Sequence, residues 1–414
     1  MNQRASGGSS FYENRLLCLL SLTFGIVVFD RSAMQLLAPF VMQDLSLNNT
    51  QIGALAAALS VTWALSGYLL SRLCDRRGRY RFVLISSIVA FSLCSFLSGL
   101  ASTFTALLLI RMLMGSAEGA ILPISQTLMA GASSEGRRGF NMGVMQTLGA
   151  NLIGAFLAPV LLVLAATHWG WRHTFFVAGL PGLICAGIAW RIVRDPPKSV
   201  AVESPTGGLR DLREILRHRN IIICMLLSGL VIGYFMLAIV YLPLYITGPL
   251  HMSPQTMGVM MSILGLSAVI SGLIVPGLSD RFGRKRVLVL PAILSLLAPL
   301  GIIFHGETPA VLGLILFFGF TGSGLAPLVM ATLPAETMAG HRVAAAIGLS
   351  MGAGEILGGV MVPLLGGAIA DRWGLAAPLY LQSAFMLTTI LLLAMLRETG
   401  QAKRASIEAS SASA

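Results

Sequence analysis

Five ionisable side chains interrupt stretches that are otherwise strongly apolar: Asp30 and Arg31, Arg111 and Glu118, and Glu355. Charge surrounded by hydrocarbon is costly, so each residue marks either an internal pair or a functional group. An arginine guanidinium grips a carboxylate with two parallel hydrogen bonds. A carboxylic acid in a low-dielectric cavity can carry a proton near neutral pH, and a neighbouring arginine opposes that protonation. An anion bound to the arginine would remove the opposition, so acids and arginines together have the chemistry of a proton-linked anion site. The same residues would also serve as a static charge-balancing network, with Glu118 as a packing acid paired to Arg31.

The elements that must hold these groups are membrane-spanning helices. The chain has 414 residues, 56% of them hydrophobic and 11% charged, far from the composition of an ordinary soluble domain. A bilayer core of roughly 30 Å takes about 20 apolar residues per helix. Apolar runs predict six spans at 16–41, 51–70, 82–101, 103–129, 139–166 and 173–194. Six more follow at 220–246, 254–276, 287–305, 309–333, 343–369 and 375–396, with a merger at Thr103 left open. The polar residues ahead of the first span, among them Arg4, Glu13 and Arg15, read as a tail rather than a cleaved signal peptide.

Depth narrows the contacts available to the five charges. With a rise of 1.5 Å per residue, Asp30 lies about 21 Å from the inner start of its span and Arg111 about 12 Å below the outer start of the fourth. The two depths match, so Asp30–Arg111 or Arg31–Glu118 pairing is sterically reasonable. Arg111 and Glu118 share a helical face about 10 Å apart, whereas Asp30 and Arg31 point about 100° apart.

The formal net charge of +11 orients the chain instead of implying nucleic acid. With the N-terminus inside, Arg172 and Arg372 are the only basic residues in outer loops, as the positive-inside rule requires. Cys18, Cys74, Cys94, Cys185 and Cys224 are scattered and read as small buried apolar residues. The six histidines are equally dispersed, and no metal site or cofactor is expected.

The only long polar segment, 195–219, reads as a linker, with Leu209 to Arg219 suited to an amphipathic helix. The sequence repeats across it. NNTQIG ends at Gly53 and CDRRGRYR places its Asp at 75; SPQTMG ends at Gly258 and SDRFGRKR places its Asp at 280. Both separations are 22 residues and the offset is 205; Pro159 with Pro363 and Gly170 with Gly374 keep an offset of 204. The domains expected are a tail to 15, a six-helix bundle 16–194, the linker 195–219, a second bundle 220–397, and a tail 398–414.

Asp-Arg-x-Gly-Arg between the second and third spans, echoed between the eighth and ninth, resembles the signature of the major facilitator superfamily. The resemblance implies an all-α membrane fold of twelve helices in two pseudo-symmetric bundles, with gating loops at Asp75, Arg76, Gly78, Arg79 and at Asp280, Arg281, Gly283, Arg284. Ser71 and Pro276 stand where the motif usually begins with glycine. Asp-Arg in the first span with Arg-x6-Glu in the fourth is similar to the anion:cation symporter family. That similarity implies proton carriers at Asp30 and Glu118, a substrate-carboxylate contact at Arg31, and a charge partner at Arg111.

Two departures weaken a sugar-acid assignment: Trp63 stands where such members often carry tyrosine, and Glu355 is acidic where they carry amides. The substrate-binding candidates are therefore Arg31, Trp63, Gln126, Tyr234, Tyr241 and Glu355. Tyr234 and Tyr241 are expected to line a cavity beside a seventh span interrupted by Pro243, although Tyr241 and Tyr245 would equally suit an interfacial belt.

Small-x3-small pairs, Gly115 with Gly119 and Gly354 with Gly358, suit close helix packing. No phosphate-binding loop pattern appears, so nucleotide-driven transport is not expected. The fifth span, GAFLAPVLL, lacks the glycine–proline run typical of drug exporters. Asn48 is a formal glycosylation acceptor but suits a helix cap better.

The expectation is a non-enzymatic, monomeric transporter of the bacterial inner membrane, both termini cytoplasmic, importing an organic acid anion with protons among membrane lipids. Export of amphiphilic or aromatic compounds by proton antiport is the alternative, and a non-transporting membrane sensor a more distant one.

Overall fold

Uninterrupted apolar sequence satisfies its backbone in hydrocarbon by becoming helix, because every N–H and C=O then bonds within its own segment. A computed structural model describes residues 3–134, 136–195, 213–338 and 342–399, with the side chains of 3–10, Asp75, 146–148 and 344 outside that description; within it every regular element is helical.

In order, the spans are Phe11–Leu36, Asn49–Cys74, Tyr80–Leu100 and Phe104–Ala132, then the long Arg138–Ile192. Arg219–Thr247, Pro254–Phe282, Arg284–His305, Pro309–Thr337, Ala345–Trp373 and Ala377–Met395 follow. Arg138–Ile192 has 55 residues, a length of roughly 80 Å that no single crossing needs. It divides at Gly170, whose φ of 79° and ψ of 158° are not helical, so the described spans number twelve.

Gly170 has a counterpart in the repeat. Gly374 carries φ 83° and ψ 167°, nearly the same geometry, in a region of backbone space open essentially to glycine alone. Each follows an exposed tryptophan, Trp169 or Trp373. The second shared turn is at the signature loops, where Gly78 has φ 67° and Gly283 φ 95°.

The chain forms two compact units, Met1–Val202 with Ser253–Gly265, and Glu203–Met252 with Leu266–Ala414. In the first unit, the second and fourth spans approach to backbone distance: a Cβ on Gly115 would lie 2.3 Å from the Leu59 carbonyl oxygen, and one on Gly119 would meet that of Trp63 at 2.1 Å. In the second unit Gly358 packs in the same way on Gly229 and Gly233 of the seventh span. Asn48 caps the second span in a reciprocal box with Gln51, at 2.8 and 3.0 Å.

Several expectations fail locally. The fourth span is not continuous: one helix ends at Glu118 and the next begins at Ile121. The seventh span, by contrast, runs unbroken through Pro243. Wide π-helical turns appear instead in the fifth, tenth and eleventh spans, at Thr147–Leu157, Leu328–Thr332 and Gly354–Met361. Cys18 is exposed rather than buried. Of the amphipathic helix expected over 209–219, residues 209–212 lie outside the described residues, and the rest holds one helical turn at 213–215 before the seventh span.

Candidate functional site

The first unit gathers four of the five intramembrane charges. Asp30, Arg111 and Glu118 are all at most 1% exposed, and Arg31 is half-buried. Arg111 lies within electrostatic reach of Asp30, Glu118, Cys94 and Arg31. Neither of the two expected pairings, Asp30–Arg111 and Arg31–Glu118, closes into an ion pair; Asp30, Arg31 and Arg111 each take a different neutral neighbour, and the Glu118 carboxylate accepts no hydrogen bond among the described residues.

Those neighbours come from four spans. Ser95 of the third span donates to Asp30 Oδ1 at 2.5 Å and stands 2.9 Å from the carbonyl oxygen of Phe175 in the sixth. Arg111 lies over the Phe175 ring, 5.5 Å from its centroid, and its Nη1 reaches Met114 Sδ at 3.3 Å. Arg31 lies 5.2 Å over the Trp63 ring, and its Nη2 makes a long 3.4 Å contact with Ser60 Oγ. Trp63 in turn packs on Leu59, Cys94 and Met114.

Five buried polar atoms here make no hydrogen bond among the described residues: Asp30 Oδ2, Arg111 Nε and Nη2, and both carboxylate oxygens of Glu118. Leaving such groups unsatisfied costs about 1–3 kcal/mol each, more when charged, and functional sites are where such a cost is tolerated. A single Ser95 hydroxyl hydrogen cannot serve two acceptors at once. With Asp30 ionised, the hydrogen goes to Oδ1. With Asp30 protonated, the acid O–H can donate to Ser95 Oγ, which then donates to Phe175.

Ser95, Ser60 and Phe175 were not singled out from the sequence. Ser95 did leave a signal: Ser92, Ser95 and Ser98 recur every three residues, all fully buried. Of the other candidates, Gln126 is half-buried, and Glu355 is half-buried at the start of the π-helical turn of the eleventh span.

Tyr234 and Tyr241 do not line a cavity. Tyr234 is fully buried, meets Phe235 edge to face and Phe320 at a tilt, and its hydroxyl reaches the Gly319 carbonyl oxygen at 3.4 Å. Tyr241 is 1% exposed and donates to the carbonyl oxygen of Pro363, which also removes it from any interfacial belt.

The signature loops carry different networks. In the second unit Arg284 binds Asp280 at 2.6 Å and Glu336 at 2.7 Å, while Glu398 accepts from the backbone N–H groups of Arg284 and Lys285 at 2.8 and 3.2 Å. Arg281 is exposed. In the first unit Asp195 accepts from the backbone N–H of Arg81 at 2.7 Å. Arg76 and Arg79 are exposed; the side chain of Asp75 lies outside the described residues. A carboxylate just beyond the sixth or twelfth span thus caps the third or ninth, where the helix dipole favours negative charge. Among the described residues no cluster of three or more His, Cys, Asp or Glu could hold a metal.

Against known proteins, a family model described as Major Facilitator Superfamily matches residues 20–350 and 224–413. The multidrug resistance protein MdtG of Yersinia enterocolitica is 27% identical over 310 residues, covering 74% of this chain and 73% of that protein. The hexuronate transporter of Bacillus subtilis is 30% identical over 197 residues, 47% of this chain and 46% of that protein. Two solved structures share the fold. The nucleoside transporter NupG aligns with a TM-score of 0.79 at 14% identity, covering 93% of this chain and 99% of that one. A D-xylose-proton symporter aligns at 0.72 and 15% identity, covering 92% and 97%.

Proposed function

The chain belongs to the major facilitator superfamily, and we propose that it is a proton-coupled symporter for an organic acid anion, such as a sugar acid or an aromatic acid, working by alternating access. The observation that carries this reading is Arg31: a half-buried guanidinium beside the buried Asp30, in no ion pair among the described residues, held 5.2 Å over Trp63. Arg31 holds the substrate carboxylate and Trp63 covers it. Asp30 and Glu118 carry protons, and Arg111 restrains their charge. When the anion neutralises Arg31, protonation of the two acids becomes easier, which links the two cargoes.

Gln126 and Glu355 remain proposed substrate contacts. Asp75, Arg76, Gly78, Arg79 and Asp280, Arg281, Gly283, Arg284 remain proposed gating loops. The protein works as a monomer in a bacterial inner membrane with both termini cytoplasmic. D-glucuronate is the first substrate to try, because a hexuronate transporter is 30% identical over part of the chain. The test is uptake into proteoliposomes. Asp30→Asn is expected to keep substrate exchange and lose accumulation driven by a proton gradient; loss of both, or of neither, counts against the assignment of Asp30.

A second reading, proton-driven export of amphiphilic compounds, is favoured by the similarity to multidrug resistance proteins over 74% of the chain. Drug resistance on expression, with no proton-dependent uptake of any acid, selects it.

A further inference from the structure

Away from the buried cluster, a second group of arginines converges on one pocket. Arg15 comes from the start of the first span, and Arg191 and Arg194 from the end of the sixth. With Phe11, Tyr12 and Ile192 they line a pocket of about 180 Å³. All three arginines are exposed, and none forms an ion pair among the described residues. The neighbouring acids are engaged elsewhere: Glu13 accepts from Asn141 at 2.6 Å and lies 3.8 Å from Arg137, and Asp195 caps the third span through Arg81.

Two of the guanidiniums lie on ring faces, Arg15 over Phe11 at 5.3 Å and Arg194 over Tyr12 at 5.4 Å. Face stacking leaves the guanidinium edges, which carry the N–H donors, for a planar or tetrahedral oxyanion. The pocket thus combines three positive charges with no ion-pair partner among the described residues, and its size suits a phosphate with its first glycerol carbons.

Its place selects the source of that phosphate. The pocket sits where the first span begins at Phe11 and the sixth ends at Ile192, which is headgroup depth in a bilayer. Phe11 is 65% exposed and Trp190, nearby on the sixth span, 62%; aromatic rings of this kind settle at the interface. Basic pockets between helices at that depth bind anionic headgroups.

We propose that this pocket is a binding site for an anionic phospholipid of the phosphatidylglycerol or cardiolipin class. A lipid bound there ties the inner end of the span carrying Asp30 and Arg31 to the span carrying Phe175. The site stands independently of what the protein transports.

The test uses the purified full chain in phosphatidylcholine discs doped with phosphatidylglycerol, with bound lipid read by native mass spectrometry. Arg15→Gln, Arg191→Gln and Arg194→Gln together remove three interfacial charges and are expected to weaken phosphatidylglycerol retention about a hundred-fold. The charge-matched set Arg213→Gln, Arg217→Gln and Arg219→Gln, exposed positions of the second unit, is expected to retain lipid as the parent does. All six side chains are exposed, so thermal unfolding in neutral lipid should match the parent and exclude misfolding as the cause of any loss. Equal retention by the first set, or equal loss in the second, overturns the site. Displacement of the lipid by inorganic phosphate, with the same thermal stabilisation from phosphate alone, overturns the assignment to a lipid.

Discussion

The two units repeat one fold with opposite interiors. In the first, Asp30, Arg111 and Glu118 are buried without an ion pair, and five of their polar atoms make no hydrogen bond among the described residues. At the 205-residue offset of the repeat stand Phe235, Leu316 and Ser323. There the interior closes on itself: Phe235 packs edge to face on Tyr234 and at a tilt on Phe320, Leu316 is fully buried, and Ser323 bonds Ser271 at 2.6 Å. Ser295 likewise reaches the Gly319 carbonyl oxygen at 2.6 Å. At these three positions the first unit carries charge without an ion pair among the described residues, and the second carries apolar or mutually bonded side chains.

The largest effects should come from crossing the two interiors. Arg31→Ala removes the proposed anion contact and should weaken uptake roughly a hundred-fold, about 3 kcal/mol in affinity; unchanged uptake of glucuronate would put the anion elsewhere. Placing the first unit's charge in the second, Leu316→Arg, should cost about 3 kcal/mol of stability, read as unfolding in mild detergent. A neutral result would mean that the second interior tolerates charge as the first does, and that the two interiors do not differ.

Next in size is a change the halves should feel alike. Gly170→Ala and Gly374→Ala force a side chain into matching glycine-only backbone and should each destabilise by about 2 kcal/mol. Sharply unequal losses would show that the repeat is not carried by these turns. Smallest is Ser95→Ala, which removes the hydroxyl between Asp30 and Phe175 and should change the pH profile of uptake by roughly tenfold at its steepest, with exchange retained. Ser95→Thr should restore the profile. A loss of exchange in step with accumulation would make Ser95 merely structural.

Much of this organisation was legible in the residues themselves. The doubled Asp-Arg-x-Gly-Arg, the equal 22-residue separations and the Gly170–Gly374 pair are local, and local geometry follows from residue type: only glycine accepts those backbone angles. The buried charges were legible because they break an apolar run. The partners of Asp30 were not, since spans that are hydrophobic on all sides carry no stripe to show which face meets which neighbour. For the same reason Tyr234 and Tyr241 passed for cavity residues: their hydroxyls are satisfied by carbonyl groups of other spans, and spacing cannot reveal that. Pro243 sits in an unbroken helix while Gly119–Ala120 ends one, because neighbouring spans can re-satisfy the backbone groups a proline frees.

The most direct test of the central claim is proton movement during transport. Proteoliposomes holding the purified protein and a pH-sensitive dye are given D-glucuronate, and then other organic acids, outside. Proton-coupled uptake predicts acidification of the lumen that depends on the acid added, is abolished in Arg31→Ala, and disappears in Asp30→Asn even though exchange continues. Acid-independent proton flux, or proton-driven expulsion of an amphiphilic dye with no acid uptake, would contradict it.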